Sequence, residues 1–301
     1  DYHNRQWFIY ERGLKMKKYD MDYVMKRYGD HTSFKLTRDM LADDFELVVG
    51  SIDVSVTTRC NLKCKNCGSL MHLYKNPKDV EIKLIIKALD RFFDVVDRVV
   101  RVNVIGGEPF LYPNLAEVVE YLNQKPQVVR VVFPTNGTVV PKNDRLYEAL
   151  RNPKNHVRIS HYEAYDKKAG KMLEKLIGEK IEHSIKQFGK NEYLWYDFGG
   201  FEKRNRTPEE LTKQYSECEV EWYSMYRGKL FPCPRIAHAV DLGLVDGFEN
   251  YVDLLDETQS KKELRKTLQD FVYERKYHPC CDHCDRGTGK CKIVPVAEQM
   301  K

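Results

Sequence analysis

Three cysteines near residue 60 constrain this chain more than any other feature. Cys60, Cys64 and Cys67 are separated by three and two residues, so one short loop supplies three thiols. A [4Fe–4S] cluster normally takes four cysteine ligands. A loop that supplies only three leaves one iron open to an outside ligand, and this favours a catalytic cluster. A zinc knuckle and a set of incidental buried thiols are the alternatives.

The Cys-x3-Cys-x2-Cys spacing follows a predicted buried strand at 52–57, and it resembles the motif of the radical S-adenosylmethionine (SAM) enzymes. The resemblance implies that the open iron binds the amino and carboxylate groups of SAM. It further implies that the reduced cluster cleaves SAM to a 5′-deoxyadenosyl radical. A flavodoxin- or ferredoxin-type reductant is the partner that such chemistry implies.

A second motif, Gly106-Gly107-Glu108-Pro109, follows the next predicted strand. Two glycines allow the backbone to approach a ligand closely, and the carboxylate can accept hydrogen bonds from an ammonium group. In radical SAM enzymes the similar stretch holds the SAM amino group, so the resemblance implies this role for these four residues. An ordinary turn is the alternative.

Two weaker signals follow the third and fourth predicted strands. Thr135-Asn136-Gly137 is similar to a turn that lies near the SAM ribose and carboxylate in this family, and Ser160 matches a position whose hydroxyl often contacts the ribose. The resemblance therefore implies that Asn136 and Ser160 contact SAM.

Strands and amphipathic helices alternate from residue 51 to about residue 200, which predicts βαβ units and a parallel sheet. The predicted strands are 52–57, 99–105, 128–133, 156–160, 181–187 and 193–198, and the predicted helices are 80–96, 115–123, 145–151 and 167–176. Six strands are too few for a closed eight-stranded barrel. The resemblance implies an α/β fold with a (βα)6 partial TIM barrel at 51–200. We expect an N-terminal extension at 1–50, with a helix at 22–28, and a small C-terminal α+β iron–sulfur domain at 201–301.

Further cysteines occur where the βα alternation stops. Cys218 and Cys233 flank Gly228, and Cys281 and Cys284 follow after a long gap. This pattern resembles the twitch domain, a shortened SPASM domain. The resemblance implies that the four cysteines hold an auxiliary [4Fe–4S] cluster, delivered by a hairpin turn at Gly228 and a helix ending near residue 277. A four-thiolate zinc site is the alternative.

Two cysteines are left over, Cys280 and Cys291. Either can replace Cys281 as a ligand or be an inert buried thiol. Cys291 is also the candidate hydrogen-atom donor, because Cys280 is adjacent to a residue already assigned to the cluster.

Composition excludes several classes of protein. The net charge of +5 is spread along the chain without a basic, aromatic-rich patch, which argues against nucleic-acid binding. No apolar run of about 18 residues predicts a membrane span, and the first residues do not begin a secretion signal. The nine cysteines are clustered as metal ligands are, so we expect a reducing, cytoplasmic location.

Candidate substrate contacts follow the predicted strands and Cys233. They are Tyr162, Glu163, Trp195, Asp197, Arg235 and His238. Aromatic faces and charged hydrogen-bonding groups together favour a sugar-like or nucleotide-linked small molecule. Trp195 can equally be a core residue, and Arg235 can instead neutralise a cluster or bind a carboxylate or phosphate.

The sequence therefore predicts a radical SAM enzyme, an oxidoreductase or epimerase that acts on a carbinol carbon of a sugar-like small molecule. A maturase that crosslinks or epimerises a ribosomally made peptide is the alternative, although the first 50 residues are short for a peptide-recognition domain. A non-catalytic metal-binding module is the second alternative. No membrane or nucleic-acid partner is expected.

Overall fold

The computed structural model describes residues 46–188, 194–218, 220, 222–247 and 250–300. Most of the predicted N-terminal extension, with its helix at 22–28, lies outside the described residues. Its last residues belong to the first strand, which begins at Val48.

Strands and helices alternate through the first part of the described chain. In order they are β1 (Val48–Thr57), α1 (Ile82–Phe93), β2 (Arg98–Gly106), α2 (Leu115–Gln124), β3 (Val128–Thr135), α3 (Asp144–Leu150), β4 (Asn155–His161), α4 (Asp166–Gly178), β5 (His183–Gln187), β6 (Trp195–Asp197), α5 (Pro208–Glu217), β7 (Tyr223–Tyr226), β8 (Lys229–Phe231), α6 (Pro234–Asp241), β9 (Val252–Asp253), α7 (Lys261–Gln269) and β10 (Lys292–Val294).

The main sheet has eight strands in the order β5-β4-β3-β2-β1-β7-β8-β9. The first five strands and β7 run parallel, and β8 and β9 are antiparallel additions at one edge. The predicted α/β class, with a mostly parallel sheet, is confirmed.

The central strand, β1, explains how the sheet presents two different faces. All ten of its residues are buried. Because successive side chains of a strand point to opposite faces, the apolar Ile52, Val54 and Val56 join the core with the helices. The alternate residues are polar, and Asp53 accepts a hydrogen bond from Asn103 of β2 at 2.7 Å. We call this second surface the polar face of the sheet.

The predicted sixth strand differs from its expected position. Its described part contains β6, which pairs with β10 in a separate two-stranded sheet, Trp195 opposite Val294. The place beside β1 is taken by β7, with Ser224 opposite Asp53. The physical reason is burial: none of the three β6 side chains is buried, whereas β7 buries three of its four.

A tight hairpin joins β7 and β8. Its two turn residues, Arg227 and Gly228, have φ of 46° and 79°, the left-handed conformations that a two-residue hairpin requires. The predicted turn at Gly228 is therefore present. The main sheet contains strands from both sides of residue 200, and the division into units 51–200 and 201–301 stays a prediction.

Across the described ranges, no helix combines the length and the apolar character that a membrane crossing needs.

Candidate functional site

The first cysteine loop begins three residues beyond the carboxyl end of β1. Cys64 is buried, and Cys60 and Cys67 are half-buried. Burial raises the pKa of the Cys60 thiol to about 12, with smaller contributions from Glu108 and from the nearby Cys67 and Cys64 thiols. The structure therefore brings the three predicted ligands together at the edge of the sheet where ligands of parallel α/β folds bind.

The Gly-Gly-Glu-Pro turn packs directly on this loop. The backbone N–H of Gly107 donates to the Thr57 carbonyl at 3.0 Å, and that of Glu108 donates to the Arg59 carbonyl at 2.9 Å. A Cβ atom at Gly107 would collide with the Arg59 carbonyl oxygen and would lie 2.7 Å from Cys60 Cβ. Only glycine permits this approach, so the turn and the cysteine loop form one unit.

The carboxylate of Glu108 links the second and third loops at this edge. Its Oε1 accepts hydrogen bonds from the Phe110 N–H and the Thr135 hydroxyl, and its Oε2 accepts one from the Asn136 N–H at 2.9 Å. Burial raises the pKa of this carboxyl to about 7, and the hydrogen bonds counteract that effect. Since a carboxylate oxygen has two lone pairs, Oε2 retains one for a further donor.

The Thr-Asn-Gly turn is tied to the cysteine loop by side chains. Asn136 Nδ2 donates to Asn61 Oδ1 at 3.0 Å, and Asn61 Nδ2 donates to the Thr138 hydroxyl. Gly137 has φ of 70°, and a Cβ there would lie 2.8 Å from the Ile159 side chain. Three consecutive loops therefore converge on one edge.

An aromatic group lies beside the cysteine loop. Tyr162 packs against Trp195 with ring centroids 5.9 Å apart and against Phe188 at 5.5 Å. Burial raises the pKa of Tyr162, and the nearby Cys64 adds to this, whereas a hydrogen bond with Ser160 opposes it. Tyr162, Trp195 and Ser160 are thus close to the first cysteine loop, and Trp195 packs in the small apolar cluster around it.

The two acidic residues among the candidate substrate contacts are exposed. Glu163 is exposed in the short helical turn that precedes α4. Asp197 is exposed at the end of β6 and accepts a hydrogen bond from the Gly199 N–H at 2.9 Å.

The second cysteine group is assembled from three separate segments. Cys218 follows α5, Cys233 precedes α6, and Cys281 and Cys284 lie in and just after a 3-10 turn, Pro279–His283. Cys233 is half-buried. Burial raises the pKa of its thiol, and the thiols of Cys284, Cys218 and Cys281 act on it in the same direction. The structure brings all four predicted ligands together.

The two unassigned cysteines both lie near this second group. Cys280 is 1% exposed, hydrogen-bonds with Cys281, and its backbone N–H donates to Asn250 Oδ1 at 2.9 Å. Cys291 is half-buried, and burial raises its pKa to about 11, with smaller contributions from Cys284 and Asp285.

Gln214 of α5 organises the loop that carries Cys281 and Cys284. Its Nε2 lies 3.0 Å from the Cys281 carbonyl, 2.8 Å from the Cys284 carbonyl and 3.1 Å from the Arg286 carbonyl. Next to it, Gly287 has φ of 77°, and a Cβ there would collide with the Gln214 carbonyl. Sequence reasoning missed Gln214, because a single polar residue in a helix carries no signal.

Arg235 lies between this group and a patch of phenylalanines. Its guanidinium donates to the Gly199 carbonyl at 2.5 Å and lies 4.2 Å from the Phe201 ring centroid. Its charge lowers the pKa of Cys284, against the larger effect of burial. Its placement matches the alternative interpretation, a cation beside the cysteines.

His238, expected to face a substrate, is instead enclosed. It is 0% exposed, its Nδ1 lies 2.9 Å from the Tyr74 hydroxyl, and its Nε2 lies 3.4 Å from the Ser55 hydroxyl. Burial lowers its pKa to about 3, with a smaller contribution from Arg227. His238 does not face a substrate, because its ring is enclosed by Tyr74 and by Ser55 of β1.

The polar face of the sheet carries several charged side chains, which sequence reasoning also missed. Burial lowers the pKa of Lys186 to about 8, and the charges of Arg158 and Arg101 lower it further. Burial raises the pKa of Asp53 to about 7, opposed by Asn103, Arg101 and Arg158. Arg101, Arg158 and Lys186 therefore act electrostatically at this face together with Asp53. Arg130, which is paired in register with Arg101, forms an ion pair with Glu182. The alternation of polar and apolar residues in β1 was the available signal.

Within the described ranges, no three His, Cys, Asp or Glu side chains meet at a point suited to a single metal ion. In a [4Fe–4S] cluster each cysteine binds a different iron, so a cluster does not require such a point. The thiol-only donor sets of both groups and the glycine contacts beside the first fit iron–sulfur clusters.

Comparison with known proteins gives a family for part of the chain. Residues 54–188 match the model of the radical SAM superfamily. GTP 3′,8-cyclase of Helicobacter pylori (strain ATCC 700392 / 26695) is 30% identical over 105 residues, which cover 34% of this chain and 32% of that protein. The antilisterial bacteriocin subtilosin biosynthesis protein AlbA of Bacillus subtilis (strain 168) is 37% identical over 90 residues, covering 29% and 18%. The chain thus matches about a third or less of the length of these relatives.

Two solved structures are also similar. One is anSMEcpe with bound AdoMet and the Cp18Cys peptide, with a TM-score of 0.49, 14% identity, and coverage of 79% of this chain and 88% of that one. The other is BtrN in complex with AdoMet and 2-DOIA, with a TM-score of 0.45, 17% identity, and coverage of 85% and 98%. The family match begins within β1 and ends just after β5. It includes the first cysteine loop and the two turns, Gly-Gly-Glu-Pro and Thr-Asn-Gly, that pack against it. The chain therefore carries a radical SAM domain.

Proposed function

We propose that this chain is a radical SAM enzyme that oxidises or epimerises a carbinol carbon of a small, sugar-like molecule. The observation that carries the proposal is the convergence of the Gly-Gly-Glu-Pro and Thr-Asn-Gly turns on a loop with three thiols. When bound, SAM and two [4Fe–4S] clusters supply a 5′-deoxyadenosyl radical and an electron acceptor. A flavodoxin- or ferredoxin-type protein is the proposed reductant.

The first group of residues would hold the cluster and SAM. Cys60, Cys64 and Cys67 are the proposed iron ligands. The proposed SAM contacts are Gly106, Gly107, Glu108, Pro109, Asn136 and Ser160. The free lone pair on Glu108 Oε2 suits an ammonium donor, and the buried, pre-assembled loops need little reorganisation to accept a ligand.

The second group would hold the auxiliary cluster. Cys218, Cys233, Cys281 and Cys284 are the proposed ligands, and the Arg235 cation offsets part of the negative charge that four thiolates bring. Cys291 lies at the edge of this group, where it can serve as the hydrogen-atom donor of an epimerase or as a replacement ligand.

The substrate class is proposed from the aromatic group and the acidic residues beside it. Tyr162 and Trp195 offer apolar ring surfaces of the kind that pack on sugar rings. Asp197 and Glu163 remain proposed contacts at the rim.

A peptide substrate is the second candidate. The match to a bacteriocin biosynthesis protein supports it. A maturase would place the same radical chemistry on a side chain or α-carbon of a peptide.

The decisive test is SAM cleavage by anaerobically reconstituted protein. We expect reduced protein to convert SAM to 5′-deoxyadenosine and methionine. The triple Cys60→Ala, Cys64→Ala, Cys67→Ala variant should lose this activity completely, whereas Cys280→Ala, outside both ligand sets, should retain it. Cleavage by the triple variant would show that the assignment is wrong.

The reaction type is tested by product mass in heavy water. Epimerisation predicts one deuterium in the product, lost in Cys291→Ala, and oxidation predicts a product two hydrogens lighter than the substrate. A modified peptide as the only product would establish the second candidate instead.

A further inference from the structure

The last described residues lie across the first cysteine loop. Residues 297–300, here called the C-terminal strap, pair antiparallel with residues 63–65, with Cys64 opposite Gln299. The Lys65 N–H donates to the Glu298 carbonyl and the Met300 N–H donates to the Lys63 carbonyl, both at 2.8 Å. The strap therefore adds a short strand to a loop that would otherwise have its backbone groups open to solvent.

The side chain of Gln299 is held by three contacts. Its Oε1 accepts a hydrogen bond from the Lys63 N–H at 2.7 Å. Its Nε2 donates to the Ala297 carbonyl at 2.7 Å and to Cys64 Sγ at 3.2 Å. Rotating the amide by 180° would place its oxygen against the Ala297 carbonyl and its NH₂ against the Lys63 N–H. The three contacts therefore orient the amide so that its NH₂ group donates to Cys64 Sγ.

The backbone of the strap is adjusted to reach this position. Ala297 has φ of 52°, a left-handed conformation that is unfavourable for a residue with a Cβ atom. It is 8% exposed and packs with Leu62 and Cys64. A strained residue held by packing beside a proposed ligand is typical of functional sites.

We infer that Gln299 is a positioning residue for the cluster held by Cys60, Cys64 and Cys67, and that its hydrogen bond to Cys64 Sγ makes this cluster easier to reduce. The inference rests on the proposed function. Reduction adds an electron that is shared with the cysteine sulfurs, and an N–H donor stabilises the more negative state more strongly. The strap also connects the two cysteine groups, because it follows β10 and Cys291 directly in the chain.

The test is a potentiometric titration of the reconstituted protein, followed by the EPR signal of the reduced first cluster. It uses a background in which Cys281 and Cys284 are replaced by alanine, so that a single cluster is observed. Gln299→Met keeps the length of the side chain and removes the donor. We expect unchanged iron content and, at a fixed potential, a ratio of reduced to oxidised cluster about threefold to tenfold smaller, where tenfold equals a shift of about 59 mV for one electron.

Two further variants separate redox tuning from support of the loop. Gln299→Glu keeps an acceptor for the Lys63 N–H but places a carboxylate on the sulfur, so we expect a larger shift in the same direction. Glu298→Gln is the matched control, because the Glu298 carbonyl makes the strap hydrogen bond, whereas its side chain forms an exposed ion pair with Lys65 at 3.8 Å. It should titrate as the parent does.

Equal potentials in Gln299→Met and the parent at full iron content would overturn the inference. Loss of iron from Gln299→Met without a change in secondary structure would also overturn the redox role, since the side chain would then only hold the loop. Failure of the proposed function would appear differently, as a parent protein without SAM cleavage.

Discussion

The two cysteine groups of this chain are built in opposite ways. The first takes its three thiols from eight consecutive residues after one strand, and neighbouring loops are hydrogen-bonded around them. The second takes its thiols from three segments separated by up to 66 positions, the distance from Cys218 to Cys284. The first group can therefore form once its loop and the adjacent strands are in place, whereas the second requires most of the chain after residue 208 to be folded.

This difference predicts that the two groups are sensitive to different kinds of substitution. A local group depends on backbone geometry that a few glycines permit. An assembled group depends on tertiary contacts such as those of Gln214 with the carbonyls of Cys281 and Cys284. A substitution beside one group can therefore disturb that group without touching the other.

The largest expected effect is on iron content. Wild-type protein should carry about eight irons, and loss of either ligand set should leave about four, because each cluster holds four. The Cys281→Ala, Cys284→Ala variant and the Cys60→Ala, Cys64→Ala, Cys67→Ala variant are compared by iron and zinc analysis after anaerobic preparation. Four irons and one zinc in the wild-type protein would show that the second group binds zinc. The two groups would then hold different metals.

A smaller effect is expected from glycine substitutions beside each group. Gly107→Ala forces a Cβ onto the Arg59 carbonyl, and Gly287→Ala forces one onto the Gln214 carbonyl at a positive φ. Each should lower the free energy of unfolding by about 1 to 3 kcal/mol, the typical cost of overpacking. Measured by urea unfolding of the apoprotein, each should also selectively lower the iron content of its own group.

Gly170→Ala is the matched control for this pair. Gly170 lies within α4, and a Cβ there meets no atom within 4 Å. Alanine at a helical position should raise the free energy of unfolding by about 0.5 to 1 kcal/mol. A loss of stability in this variant equal to that of Gly107→Ala would show that the close approach of the loops is not the cause.

The last expected effect is a change of stability with pH, and it concerns the polar face of the sheet. Because burial raises the pKa of Asp53 to about 7, the folded protein retains its proton to higher pH than the unfolded chain does. Stability from this group is present at low pH and is lost as the pH rises towards and through 7. Between pH 5 and pH 8 wild type should lose about 2 to 3 kcal/mol more unfolding free energy than Asp53→Asn, because the loss runs over about two pH units at 1.36 kcal/mol per unit. Parallel pH profiles of the two proteins would contradict the shift.

Local patterns predicted most of the first region correctly. The strand at 52–57, the cysteine spacing and the glycine turns each depend on residues close together in sequence, and the predicted helices at 115–123 and 167–176 agree with α2 and α4 within two residues. The periodicity of a buried strand or an amphipathic helix is readable because its physical cause is local.

Tertiary partners explain the failures. The predicted sixth strand has a strand-like pattern, but its partner β10 lies almost a hundred residues further along the chain. The position beside β1 is taken by β7, which the local pattern does not reveal. Gln299 and Gln214 carry no motif, and their importance arises only from the atoms that the fold places opposite them. The burial of His238 likewise depends on Tyr74 and Ser55, which are distant in sequence.

The pairing of β7 with β1 also has a consequence for synthesis. During translation β1 through β5 emerge well before β7 (Tyr223–Tyr226). One edge of β1 therefore stays unpaired until a segment more than 160 residues further along has been synthesised. An unpaired apolar edge invites association with other chains, and pairings so distant in sequence form slowly. Truncation before residue 223 should therefore yield an insoluble product although the radical SAM match ends at residue 188.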